Sequence, residues 1–267
     1  MRTRTGGTRR RTRPRAVALG IAGASAALVL GTSLWAYADT RRVTAPADHA
    51  DTANGGTEGG TEGEQVPTVG DAAADPALAG TGVEVPRGWE LVREHGAGHD
   101  TEEVTVRRYQ EGGEYDVAGP HLSVVVGSDG RLIGVTALDP REANDPDALP
   151  GAEQAREAAY SWLARQDSEY LAGLEEQWVD RHDEVVVGAD GEEHVIPGVK
   201  VKTRHADGRY AWVIVGADSR VVTFERDVTW DAVRQRRATQ MWLHNAWIAA
   251  VEGTGGQPPA PAALAAE

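Results

Sequence analysis

The sequence predicts an α+β fold: two related antiparallel β-sheet units, each followed by a helix, behind an N-terminal transmembrane or signal segment and a disordered linker. Three observations carry this reading. A run of β-branched residues enters a Gly-(Ser/Ala)-Asp-(Gly/Ser) turn three times, at 124–130, 185–191 and 213–219. Asp and Gly tolerate the positive φ of tight turns, so each copy reads as a hairpin. Val199, Val201 and Thr203 alternate with Lys200, Lys202 and Arg204, the period of a sheet with one wet face. Pro150 and Gly151 open a segment that sets Ala155, Ala158, Ala159, Trp162 and Leu163 on one helical face.

The elements follow in order. Residues 1–15 hold seven arginines and no acid, a basic N-terminus expected in the cytoplasm. Residues 16–38 are 23 residues without a charge, long enough to span a bilayer, which takes about 20. The positive flank stays inside, so the bulk of the chain is expected outside. Ala36-Tyr37-Ala38 is a small-x-small site for a signal peptidase, so the segment reads either as an uncleaved anchor or as a signal peptide cut after Ala38. Residues 39–82 are rich in Gly, Thr, Ala, Asp and Glu and poor in bulky apolar side chains. They cannot bury enough surface to offset chain entropy and read as a disordered acidic linker.

The folded part is expected as a first β-rich unit, 83–149, and a second α+β unit, 150–252. Strand patterns fall at 103–110, 121–126, 131–138, 174–187, 193–204, 209–215 and 220–226, with a weaker one near Trp89. Thr229-Trp230-Asp231 opens a C-terminal helix, with Trp230, Val233, Met241, Ile248 and Val251 on a stripe that Arg237 and His244 interrupt. Residues 253–267, with Pro258-Pro259-Ala260-Pro261, read as a disordered tail.

Composition excludes several classes. There is no cysteine, hence no disulfide, thiolate metal site or cysteine nucleophile. The 27 basic residues less the seven N-terminal arginines leave 20 against 41 acidic ones, a net charge of −21 for the rest of the chain. Phosphate backbones are repelled by such a domain, so no nucleic-acid partner is expected. The chain has two lysines, Lys200 and Lys202; every other basic residue is arginine.

The helix Ala152-Glu153-Gln154-Ala155 through Leu163, followed by strands, an Asp-Gly turn and a Gly-Ala-Asp-x-Arg-Val-Val hairpin, resembles the PepSY domain family over about 150–226. A degenerate copy without its helix falls in 83–139. Ser219 stands where the family's last hairpin usually has Gly. The resemblance implies a small antiparallel sheet with a helix packed on it. It also implies a non-enzymatic extracytoplasmic module that binds or restrains a peptidase or a sensor partner.

No catalytic, metal or cofactor-binding residue is assigned. His95, His99 and Asp100 supply two imidazoles and a carboxylate in a Gly-rich stretch, without a third His or Cys ligand in reach along the chain. Asp180-Arg181-His182-Asp183 has the elements of a His–Asp base, but its residues alternate faces on a strand. Glu225, Asp227 and Asp231 gather near the end of the last strand, where paired carboxylates could act as acid and base; Arg226 and Arg234 are their expected partners. No Gly-x-Ser-x-Gly, His-Glu-x-x-His or Walker sequence occurs. The candidate partner surface is Arg234, Arg236 and Arg237 with Trp242 and Trp247, since Trp and Arg are enriched at interface hot spots. The expected protein is a membrane-tethered or secreted, non-enzymatic binding or regulatory module of the bacterial cell envelope. It would be held to the membrane through 16–38 if uncleaved and would meet a protein partner in the envelope. The alternatives are a cell-envelope enzyme using the Glu225, Asp227 and Asp231 carboxylates, and a structural spacer or assembly protein.

Overall fold

The computed structural model describes residues 74–142 and 148–265. The expected membrane or signal segment, 16–38, and most of the expected linker, 39–73, lie outside the described residues. Among the described residues no helix is long and apolar enough to cross a membrane.

The strands are β1 (Trp89–His99), β2 (Glu102–Glu111), β3 (His121–Gly127), β4 (Leu132–Leu138), β5 (Leu174–Arg181), β6 (Glu184–Val187), β7 (Glu193–Ile196), β8 (Val199–His205), β9 (Tyr210–Val215), β10 (Val221–Val228), β11 (Trp230–Asp231) and β12 (Arg236–Arg237). The helices are α1 (Ala152–Gln166), α2 (Ser168–Ala172) and α3 (Asn245–Val251). Eight strands form one antiparallel sheet in the order β1-β2-β3-β4-β10-β9-β8-β5. The fold is α+β, but the two expected sheets are one. Each half is a four-stranded meander, and the last strands of the two meanders pair with each other through Thr136↔Thr223, Val135↔Phe224 and Gly134↔Glu225. Sequence periodicity sets the face of each strand; it carries nothing about which strand edges meet.

All three repeated turns are hairpins, joining β3 to β4, β6 to β7 and β9 to β10. In the first two, the Asp129 and Asp190 carboxylates accept the amide hydrogens of Arg131 and Glu192 at 3.0 Å. Gly130 and Gly191 then take φ of +84° and +80°. The third turn differs, with Asp218 at φ +55° and Ser219 at φ +58°.

The expected strands 174–187 and 193–204 each break in two. At the corner the amide of His182 donates to the carbonyl of Gly198. A Cβ at Gly198 would lie 2.4 Å from Ile214 Cγ2, so only glycine lets the chain pass there. The corner folds the β6–β7 ribbon over the sheet as an arm.

One face of the sheet carries the main core. Ala155, Ala159, Trp162 and Leu163 of α1 pack on Val124, Val135, Val201, Val213, Val215 and Phe224. Trp162 meets Phe224 at 4.8 Å with the rings tilted by 53° and donates its indole N–H to the Thr81 carbonyl at 2.7 Å. The linker therefore ends earlier than expected. Asp75 caps a short 3-10 turn, Pro76–Leu78, and its carboxylate accepts from the Tyr109 hydroxyl at 2.9 Å. Leu78, Val83 and Val85 join the core.

The opposite face is covered twice. Val186 and Ile196 of the arm cover Trp212, Ile214 and Val222. A strap, residues 236–265, crosses the β1–β4 half, where Leu243 meets Val104, Val106, Val125 and Ile133. The expected long C-terminal helix does not form. Asp231 turns the chain by accepting the amides of Val233 and Arg234 at 2.8 and 2.9 Å, and Gln235 takes φ +53°. The Asp231 contacts are those of a helix N-cap, so it is the left-handed Gln235 that stops a continuous right-handed helix. What remains is the β11–β12 hairpin and the seven-residue α3. The expected disordered tail is docked instead. Ala262 and Ala263 are buried, and the Trp247 indole donates to the Leu264 carbonyl at 3.2 Å. Alanines have little surface to bury, but Ala263, past the last proline, packs with Trp247 and Ile248.

Candidate functional site

The expected partner surface lies on the strap, and the structure spends most of it on holding the strap down. Trp247 and Arg237 are buried at 3 % and 5 % exposure. The Arg237 guanidinium donates to Glu225 at 2.5 Å and to the Thr239 and Gln240 carbonyls at 2.8 and 2.6 Å. Arg236 donates to the Ala262 carbonyl at 2.9 Å, and the Trp242 indole to the Gly98 carbonyl at 2.8 Å. Arg234 is exposed and pairs with Asp231 at 2.8 Å. The tryptophans that fell off the expected stripe do so because no single stripe exists: Trp242 and Trp247 meet edge to face at 4.8 Å.

The three carboxylates considered for catalysis are each compensated separately. Burial alone would raise the Glu225 carboxyl, but Arg237 and His244, the latter at 3.3 Å, hold it well below the usual range. Asp227 sits in a bulge of β10 at φ +61°, its carboxylate 3.3 Å from both Arg226 and Arg209. Asp231 makes the turn already described. His182 approaches Glu184 at 3.3 Å, while Asp183 pairs with Arg181. His95 packs edge to face on Trp242, and His99 is buried beneath the strap. Among the described residues no group of three metal-ligating side chains converges. The two best-formed pockets among those residues hold about 10 Å³ and essentially nothing, the room of one water at most.

A different cluster stands out beside β8. The alternation read from the sequence holds: Val199, Val201 and Thr203 are buried on the α1 side. Lys200, Lys202 and Arg204 therefore share the other face. The Lys200 ammonium lies 4.1 Å above the Trp212 ring. The Lys202 ammonium lies 4.7 Å from the Tyr210 ring and 5.6 Å from the Trp178 ring. The Arg204 guanidinium is 5.7 Å from Tyr210. Trp178, on the edge strand β5, is 42 % exposed. The arm covers Trp212 at the Lys200 end, while Trp178 and Arg204 are exposed and Lys202 and Tyr210 half-buried, so the Lys202 end faces outward.

Both lysines are half-buried, and neither forms an ion pair with a carboxylate among the described residues. Burial draws the Lys200 ammonium down to about 8 against the pull of Glu184 and Glu225. Burial alone lowers Lys202. A partly desolvated cation without an anion gains from an aromatic face, and it gains more from a partner that supplies a negative group. Sequence reasoning saw the alternating strand and the two lysines separately. It missed the aromatic partners because Trp178, Tyr210 and Trp212 come from strands whose register only the fold fixes.

No protein-family model and no curated protein matches the chain.

Proposed function

We propose that the chain is a non-enzymatic binding module of the bacterial cell envelope, tethered or secreted outside the cytoplasm, and that it meets its protein partner at the lysine–aromatic corner of β5, β8 and β9. The observation that carries the reading is that corner: the chain's two lysines, half-buried, set against three aromatic rings, and Lys202, at the exposed end, lowered by burial with no charged neighbour drawing on it. The pairing of Glu225, Asp227 and Asp231 each with an arginine supports a non-enzymatic role. A helix laid on an antiparallel meander supports the PepSY-like reading of the second half, with a partner restrained rather than transformed.

The test uses the scarcity of lysine. A membrane-impermeant amine-reactive crosslinker, added to intact cells, reaches this chain outside the cytoplasm at Lys200 and Lys202 and, if the signal is cut, at the new amino terminus. The expected result is one crosslinked partner that disappears in the Lys200→Arg/Lys202→Arg variant at equal protein level. Arginine keeps the charge and loses the acylable amine. A crosslink that survives in the double variant moves the surface elsewhere. No labelling on intact cells, with labelling after lysis, overturns the extracytoplasmic placement.

A further inference from the structure

The strap lies on histidines. His121 is fully buried on β3; its Nδ1 bonds the Gly119 carbonyl at 2.9 Å and its Nε2 has no partner. His99, at the end of β1, is 4 % exposed with Nε2 unpartnered. His95, two turns of the pleat earlier, has an unpartnered buried Nδ1 and packs on Trp242 of the strap. The strap contributes the fourth, His244, 3.3 Å from Glu225. A neutral imidazole leaves a ring nitrogen without a proton, and each unpartnered nitrogen here lies in a dry interface. A proton placed there brings a charge that nothing solvates.

The surrounding charges are of both signs. Arg93 of β1 pairs with Glu252 at the end of α3, which also accepts from the Tyr115 hydroxyl at 2.7 Å. Arg108 of β2 bonds Asn245 of α3 and the carbonyls of Asp116 and Val117, all at 3.0 Å. Arg237 of the strap bonds Glu225 of β10. Asp100, in the β1–β2 turn, accepts from Thr229 and Thr239. Asp227 of β10 and Glu184 of the arm complete the charged groups felt by His99 and His244. Extra charge on His121 would be repelled by Arg108 and His244, and on His95 by Arg93 against the pull of Glu252; on His99 the repulsion from Arg237 is opposed by Glu225, Asp100 and Asp227, so there burial is the cost.

We propose that the part of the strap at residues 236–252 is released by acid: protons taken up by His95, His99 and His121 lift it from the sheet and bare the apolar strip of Val104, Val106, Val125 and Ile133. The sign follows from linkage. Burial lowers the basicity of all three imidazoles in the closed form, His121 most of all. In the released form they titrate near the ordinary value of about 6.5. Docking is therefore strongest above that value and weakens as pH falls through it, because the released state binds more protons. The Glu225 carboxylate is held ionised well below this window, so a step to pH 5 changes the imidazoles and leaves the Arg237–Glu225 pair charged.

Hydrogen exchange of the full-length protein at pH 7.5 and 5.0, expressed as protection relative to the unstructured rate, tests this. Protection of amides 241–252 is expected to fall at least tenfold at pH 5.0 while that of β8–β10 holds. The His95→Gln/His99→Leu variant, with two fewer imidazoles under the strap, is expected to lose less. Equal strap protection at both pH values overturns the proposal. So does a loss spread evenly over both halves of the sheet, and so does an unchanged pH response in the variant.

Discussion

The two halves of the sheet share a meander and differ in what covers them. Over β5, β8, β9 and β10 the covers are α1 on one face and the β6–β7 arm on the other, and Val186 and Ile196 of the arm meet an apolar set beneath, Trp212, Ile214 and Val222. Over β1–β4 they are the extended stretch after Asp75 and the strap. Beneath the strap lie Arg108, Gln110, His99, His121 and Ser123, all buried. Buried polar groups need partners, and irregular backbone supplies carbonyls that a regular ribbon spends on itself. Arg108 and Gln110 both bond the Asp116 carbonyl in the loop between β2 and β3. The same strand pattern can thus hold a dry face or a polar one, according to whether its cover is regular or irregular chain.

If that contrast is right, the largest loss comes from the dry side. Trp162→Ala should cost about 5 kcal/mol, the upper end for a buried tryptophan, because it empties the contact with Phe224 and orphans the Thr81 carbonyl. Chemical denaturation measures it; a cost near 1 kcal/mol would mean that α1 is not the organising cover. On the polar side, Arg237→Ala should cost about 3 to 4 kcal/mol, since Glu225 keeps its buried charge without its guanidinium. Glu225→Gln combined with Arg237→Ala should recover part of that loss. Equal costs for the single and double variants would show that the pair does not hold the strap.

A smaller change separates the three hairpins. Arg220 N–H bonds the Ala217 carbonyl at 3.2 Å around Asp218 and Ser219, both left-handed. That geometry favours Asn-Gly or Asp-Gly. Ser219→Gly should therefore raise stability by about 1 kcal/mol, read as a shift in denaturation midpoint at constant slope. Gly130→Ser and Gly191→Ser should do the reverse.

Hairpins, the first helix and the wet face of β8 were legible because each is written in a local period or a fixed φ. The join of β4 to β10 was not, since Thr136 and Thr223 find each other across 87 residues. The C-terminal region misled for a related reason. Trp230, Met241 and Ile248 have helical spacing, yet Gln235 turns the backbone left-handed, and tertiary contacts to Gly98 and Leu264 then place Trp242 and Trp247 separately. The lysine corner was half legible: the residue types were visible in the alternation, while the rings beneath them depend on the pairing of Trp178 with Lys202 and of Lys202 with Trp212.

The smallest expected effect is at that corner, and it decides whether the corner is surface or core. Trp178 stands on an edge strand, 42 % exposed, so Trp178→Ala should change stability by no more than about 0.5 to 1 kcal/mol, the range of an exposed cation–π contact. Its effect on Lys202 should be easier to see. Burial alone lowers that ammonium, and Trp178 is one of the two rings that shield it. Removing the ring admits water, stabilises the charged form and moves the titration of Lys202 up toward the ordinary lysine value. Lys200 rests on Trp212 at 4.1 Å and draws its shift from that side, so it should stay where it is. With two lysines in the chain, lysine-selective isotope labelling gives two side-chain signals, and their pH titrations in wild type and variant read both residues at once. An upward move of Lys202 alone identifies the corner as a water-lined surface built from Trp178. If both lysines move, or neither does, the shielding comes from the arm and the sheet, and the corner belongs to the core.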